Sequence, residues 1–233
     1  MNEVELLAAP VFVLGPVTIT ATVLTTWGIM ALIGLCAVLF SHRIQLAPGA
    51  LQTALEGIVS AIENAIANVA PQHTQQLLPF IGTLWIFLVI ANLSGLIPGL
   101  HSPTRDLSAT AALALLVFFS THWFGIRDQG LKSYLRHYLS PSPILLPFHI
   151  ISELTRTVAL AVRLFGNIMS LEIAAMLILL VAGFLAPVPI LMLHVIEALV
   201  QAYIFGMLAL IYVAGGLQSQ QLRQQKKQGA SHA

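Results

Sequence analysis

The chain has 233 residues, of which 58% are hydrophobic and only 8% charged, with a net charge of +1 and a mean hydropathy of +0.89. So few charges cannot cover the surface of a soluble domain of this size, and the near-neutral balance gives no electrostatic footprint for nucleic acid. The apolar runs are continuous rather than alternating, which excludes a β-barrel and indicates an all-α membrane protein.

The N-terminus, MNEVELLAAP, is acidic and lacks the basic region of a secretory signal, so the first apolar segment reads as a retained span. No Asp, Glu, Lys or Arg lies between Glu5 and Arg43, and residues 17–40 are long enough to cross hydrocarbon. The lone cysteine, Cys36, lies in that run. It excludes an internal disulfide or a thiolate cluster, and it reads as a buried structural thiol. In 51–70, Leu51, Leu55, Ile58, Val59, Ile62, Ile66 and Val69 recur at helical spacing, with Glu56, Glu63 and Asn64 off the stripe. This is the pattern of an amphipathic helix at the membrane interface or against a partner, or of a short surface helix.

A second span is expected over 77–97, ended by Pro98 and Gly99, and a third over 109–126. The polar loop RDQGLKSYLRHYLSPSP, 127–143, contains prolines that stop a helix. Two longer segments follow, 144–184 and 188–218, separated by the LAPVP turn; both exceed a perpendicular span and so predict tilt. The tail QSQQLRQQKKQ reads as a solvated end. With five spans, Arg43, Arg127, Lys132, Arg136, Arg223, Lys226 and Lys227 share one side, leaving only Arg105 opposite. The positive-inside rule then puts the N-terminus outside and the C-terminus inside.

The segment 152–172, SELTRTVALAVRLFGNIMSLE, carries two arginines and two glutamates. Seven residues separate Arg156 from Arg163, so the two fall about 20° apart on a helix. Asn167, Ser170, Ser152 and His149 lie near the same stripe, while Glu172, nine residues from Arg163, lies behind it. Arg156 is placed either to snorkel to the headgroups or to act at depth. Arg163 is near mid-helix, where an arginine costs roughly 2.5–3.5 kcal/mol on insertion scales and marks a bundle interior, a water cavity or an ion path. On the last helix His194, Glu197 and Gln201 share one face. In an antiparallel hairpin Glu172 then sits at a depth similar to His194 and Glu197, an arrangement suited to relaying protons or cations. Metal ligation by His194 and Glu197 is the weaker alternative, since there is one such pair, no HExxH and no cysteine set. Tyr203 and Tyr212 read as packing or interfacial residues.

These residues resemble the a subunit of the membrane (Fo) sector of bacterial F-type ATP synthases. The resemblance rests on RLFGN at 163–167 with Glu172 following, on His194 six residues before QAYIF, and on PTRDLSAT at 103–110. It implies a non-catalytic stator that carries protons or sodium between two half-channels and the carboxylates of a rotating c-subunit ring. It also implies peripheral-stalk b subunits and the rest of the complex as partners, in the bacterial inner membrane. Arg163 would be the gate, Asn167 and Gln201 its polar neighbours, and Glu172 and His194 outer half-channel positions. Glu197 joins that cluster by face and depth, and His149, Ser152, Glu153 and Arg156 are inner half-channel candidates by location. The short N-terminus, and Arg156-Thr157 where many relatives have a basic residue and proline, resemble the N-type rotary ATPase subgroup. No cofactor is expected, and without a G-x-x-x-x-G-K-[ST] loop nucleotide chemistry falls to partner subunits. A self-contained secondary transporter or channel is the competing reading.

Overall fold

The structure, a computed structural model, describes residues 10–14, 17–42, 49–97, 100, 102–130, 146–182 and 188–231. Among these it is almost wholly helical. The elements are α1 (Ala21–Ser41), α2 (Ala50–Val69), α3 (Thr74–Ser94), α4 (Leu107–Gln129), α5 (Leu146–Ala182) and α6 (Val188–Ser231). Short 3-10 turns at Pro71–His73 and Pro103–Arg105 precede α3 and α4. Five helices, all but α2, are long and apolar enough to cross a membrane.

Three boundaries differ from expectation. Before α1, Pro10–Leu14 and Val17–Thr20 form an antiparallel two-stranded hairpin, so the first helix starts at Ala21 rather than 17. The run VTIT is β-branched at all four positions, and extended backbone suits such side chains better than helix. The second span ends at Ser94, and the chain turns at Gly95; Pro98, Gly99, the loop 131–145 and residues 183–187 lie outside the described residues. The tail does not leave the helix at 218. QSQQLRQQKKQ has no proline and is made of good helix formers, so α6 continues to Ser231. At 37 and 44 residues, α5 and α6 run about 55 and 66 Å, well beyond a ~30 Å hydrocarbon layer.

Local chemistry sets the α4 ends. The Asp106 side chain accepts from the Ser108 amide at 2.9 Å, capping the N-terminus. Gly130 ends the helix at φ +76°, a conformation that costs glycine little. Pro79 lies inside α3, where it offers no N–H, and its carbonyl takes the Thr83 hydroxyl at 2.7 Å.

The core lies among α3, α4, α5 and α6, with α6 packed against the other three. Leu77, Ile81, Leu84, Trp85 and Leu88 of α3 meet Phe205, Ala209, Leu210 and Val213 of α6, joined by Ala114 and Val117 of α4 and by Leu160, Ala161, Leu164 and Ile168 of α5. In lipid such packing is held by close van der Waals contact rather than by water exclusion. Gly206 makes the closest approach possible: a Cβ there would overlap the Trp85 indole. That indole also stacks on Tyr203 and donates from Nε1 to the Tyr203 carbonyl at 3.3 Å.

The outer members are looser. Half of the most apolar stretch of α3 and of α6 is buried, but only 6% of that of α1 and 11% of that of α5. Cys36 is exposed on α1, contrary to its reading as a buried thiol. Helix α1 has one buried residue, Ile29, and stands off α3 and α4 across an apolar cavity of about 660 Å³. The α2 stripe is used in half: Ile62, Ile66 and Val69 pack into the core, while Leu51, Leu55, Ile58 and Val59 are exposed.

Gly206→Ala is therefore expected to destabilise the protein by about 1–3 kcal/mol through overpacking against Trp85. Gly34→Ala, where nothing lies within 4 Å of the added Cβ, leaves thermal stability in detergent unchanged. Equal melting temperatures for the two variants would refute the close-approach argument.

Candidate functional site

The two long helices are locked in antiparallel register by two contacts. Asn167 Nδ2 donates to Gln201 Oε1 at 2.7 Å, and the Arg156 guanidinium lies 4.8 Å from the centre of the Tyr212 ring. The contacts are eleven residues apart on each helix, so α5 and α6 run in step between them. On this register Arg163 is level with Phe205, and Glu172 falls between the levels of His194 and Glu197.

Helix α5 presents two different faces. Ala161, Leu164 and Ile168 form its buried stripe, which Glu172 continues one turn further on. The opposite stripe carries His149, Ser152, Arg156, Arg163 and Ser170, all exposed, with Asn167 half-buried beside them. Arg163 is not in a bundle interior. It stands on the surface of the chain, flanked by exposed Val158, Val162 and Ile173, and has no hydrogen bond or ion pair among the described residues.

Towards the end of the bundle formed by the α3–α4 connection, polar groups are buried together. His194 is 2% exposed and Gln201 1%; Glu172 has a side chain 11% exposed. The Glu172 and Glu197 carboxylates both lie within electrostatic reach of the His194 ring. Glu172 Oε1, His194 Nε2 and Gln201 Nε2 are buried without a hydrogen-bond partner among the described residues. Buried polar atoms are ordinarily satisfied by protein or water, so these three along one helix interface have bonding capacity for water.

At the opposite end Arg156 also pairs with Glu153 at 3.5 Å. The candidates there are joined only in part: Glu153, Arg156 and Tyr212 come together, while His149 and Ser152 lie exposed on the same helix stripe. Tyr212 thus does more than fill space. Among the described residues no three His, Cys, Asp or Glu side chains gather with the spacing of a metal site.

Two residues of this region escape sequence reasoning. Arg105 NH1 donates to Glu172 Oε2 at 3.0 Å, closing an ion pair across 67 residues. Its signal was its isolation as the single basic residue in the loops assigned to that side. Asn92, fully buried, donates to the Ala198 carbonyl at 3.1 Å and accepts from Thr104 at 2.8 Å. An amide in an otherwise apolar span was its signal. Ser102 lies within 2.7 Å of Thr104 and donates to the Ala91 carbonyl at 2.8 Å. These bonds tie the α3–α4 connection to α3 and, through Asn92, to α6.

An array of apolar helices that buries orphaned polar atoms at one end and exposes an arginine stripe on one helix defines a multi-pass membrane protein. The model of the family described as "ATP synthase A chain" matches residues 23–214. "ATP synthase subunit a 2" of Pelobacter propionicus is 64% identical over 217 residues, covering 93% of this chain and 95% of its own. "ATP synthase subunit a 1" of Hahella chejuensis is 69% identical over 88% of this chain and 87% of its own. "ATP synthase subunit a" of Legionella pneumophila is 54% identical over 97% and 98%. The chain belongs to the a-subunit family of the bacterial F-type ATP synthase membrane sector, as RLFGN and QAYIF led us to expect.

Asn92→Leu, close in volume, removes the donor to the Ala198 carbonyl and the acceptor of the buried Thr104 hydroxyl. It is expected to lower stability by about 1–3 kcal/mol and to speed amide exchange at residues 102–106. Unchanged exchange there would show that the connection is held by other means.

Proposed function

We infer that this chain is the stator ion path of a rotary ATP synthase, with Arg163 as the gate between two half-channels. The observation that carries the reading is the exposed Arg163 midway along an apolar helix, unpaired among the described residues. A guanidinium stays charged at any working pH and cannot be left in hydrocarbon at acceptable cost. It therefore needs an anionic partner outside its own chain, and a ring of c subunits with intramembrane carboxylates supplies one. The low burial of α5 supports the same conclusion, because a whole face of that helix is open for the ring.

Each group then has a task. Ions enter from the outer side past Glu172, His194 and Glu197, and the orphaned atoms of Glu172, His194 and Gln201 bind the water that a polar path requires. Asn167 and Gln201, bonded to each other, line the end of that path one turn from Arg163. A ring carboxylate arriving at Arg163 is drawn into its ionised form by the fixed positive charge, and releases its ion to the inner half-channel. That exit runs past Arg156, Glu153, Ser152 and His149. The same charge repels a cation moving straight across, so the ion has to travel with the ring. One charge crossing 100 mV carries about 2.3 kcal/mol, and several such steps drive synthesis on the partner subunits; this chain performs no nucleotide chemistry itself.

The chain forms one membrane-embedded unit in the bacterial inner membrane, N-terminus outside and C-terminus inside, with α2 at the inner interface against lipid or the peripheral-stalk b subunits. The coupling ion is a proton or sodium, as the c ring's own site dictates.

Arg163→Ala is expected to abolish coupled ATP synthesis in membrane vesicles while the complex still assembles. Synthesis at near-normal rates in that variant would remove the central assignment. The purified chain alone, in liposomes, is expected to carry almost no ion flux. Rapid flux without a c ring would instead favour a self-contained transporter or channel.

A further inference from the structure

Arg105 is the one charged group of the outer cluster to which the ion path above gives no task. It does not hang from a flexible loop. Its amide donates to the Ser102 carbonyl at 3.1 Å within the Pro103–Arg105 turn, and the flanking Ser102 and Thr104 side chains are buried and bonded to Ala91 and Asn92. Asp106, next in sequence, caps α4. The base of the Arg105 side chain is thus anchored to three helices before its guanidinium reaches Glu172.

The pairing treats the two oxygens of Glu172 differently. Oε2 accepts from Arg105, whereas Oε1 is buried and unpaired among the described residues. Gly95 lies beside Oε1: a Cβ at that position would stand 3.1 Å from it and 3.1 Å from the Ser102 Cβ. With no side chain at Gly95, nothing crowds the buried Oε1 from that direction. Among the described residues, the charged and titratable groups near Glu172 are Arg105 from the connection and His194 from α6, which also interacts with Glu197; Gly95, just after α3, is the neighbour on that side.

We propose that Arg105 is a positioning residue of the outer half-channel, which holds Glu172 by one oxygen, directs the other to the coupling ion and sets how tightly that ion is taken. The proposal rests on the ion-path reading given above. A cation at Oε1 feels both the carboxylate's attraction and the fixed guanidinium's repulsion, so it is held weakly enough to move on to the ring. Without the guanidinium the same carboxylate would retain the ion. A purely structural clip between the connection and α5 makes a different prediction: its loss would reduce assembly but not alter the ion dependence of the complexes that form.

The test uses the whole complex in proteoliposomes at a fixed electrical potential, with ATP synthesis measured against the concentration of the coupling ion on the outer side, first proton and then sodium. In Arg105→Gln the half-saturating concentration is expected to fall by about tenfold, the scale on which a neighbouring charge shifts a carboxylate's ion affinity, with the maximal rate kept within about twofold. Arg105→Lys retains the charge and is expected to return half-saturation to within about threefold of the parent. ATP-driven pumping, read against ion concentration on the inner side, is expected not to change. Unaltered half-saturation in Arg105→Gln, or the same shift in Arg105→Lys, overturns the proposal. If Arg105→Gln does not assemble, Thr104→Val is read instead, since it keeps Arg105 but frees the turn. A smaller shift in the same direction supports the proposal, and none overturns it. Either failure leaves the Arg163→Ala result standing, whereas synthesis persisting in Arg163→Ala removes the ion path itself.

Discussion

The charged groups of α5 are disposed around an arginine, Arg163, that has no ion pair among the described residues. The nearest carboxylates on α5 are already engaged, Glu153 by Arg156 and Glu172 by Arg105. Had Arg163 found either one, the resulting ion pair would have neutralised the charge and turned it inward, and no incoming carboxylate could have competed at low cost. The two other cations therefore serve a second purpose. They occupy the acids of α5 and leave Arg163 without an ion pair among the described residues.

The two ends of the α5–α6 pair follow different designs. Towards the α3–α4 connection, His194 and Glu172 are largely withdrawn from solvent and incompletely hydrogen-bonded among the described residues. Towards the other end Glu153, Arg156 and Tyr212 form a half-exposed set, held by an aromatic face and a local ion pair. Between them the Asn167–Gln201 bond is the single direct polar link, and it leaves Gln201 Nε2 with bonding capacity to spare.

Much of this was legible in the residues. The spacing of Arg156, Arg163 and Glu172 gave two faces of one helix, because helical geometry alone fixes which side chains share a stripe. The apolar runs gave five spanning helices, since length and charge exclusion need no tertiary knowledge. The direction in which each stripe points was not legible: Arg163 was read as marking an interior, a water cavity or an ion path, and it lies on the surface of the chain, because helical spacing says which side chains share a face but not what that face meets. Cys36 was misjudged for a related reason, as an apolar run faces lipid as readily as core. The Arg105–Glu172 pair joins positions 67 residues apart, and no local pattern encodes such a meeting. The hairpin before α1 and the helical tail were missed where propensity, a weak signal, was all the sequence offered.

The contact between Gly206 and Trp85 has a mechanical consequence. A stator has to push back on whatever turns against it, and any give in its wall wastes part of each step as elastic recoil. With no side chain at Gly206, the indole of α3 wedges directly onto the α6 backbone, and Asn92 ties the same pair of helices together further along. Lateral load on α5 passes to α6 through the core they share and is carried on to α3 without a soft layer between. A single missing methyl group thus lends stiffness to the packing of α3 against α6.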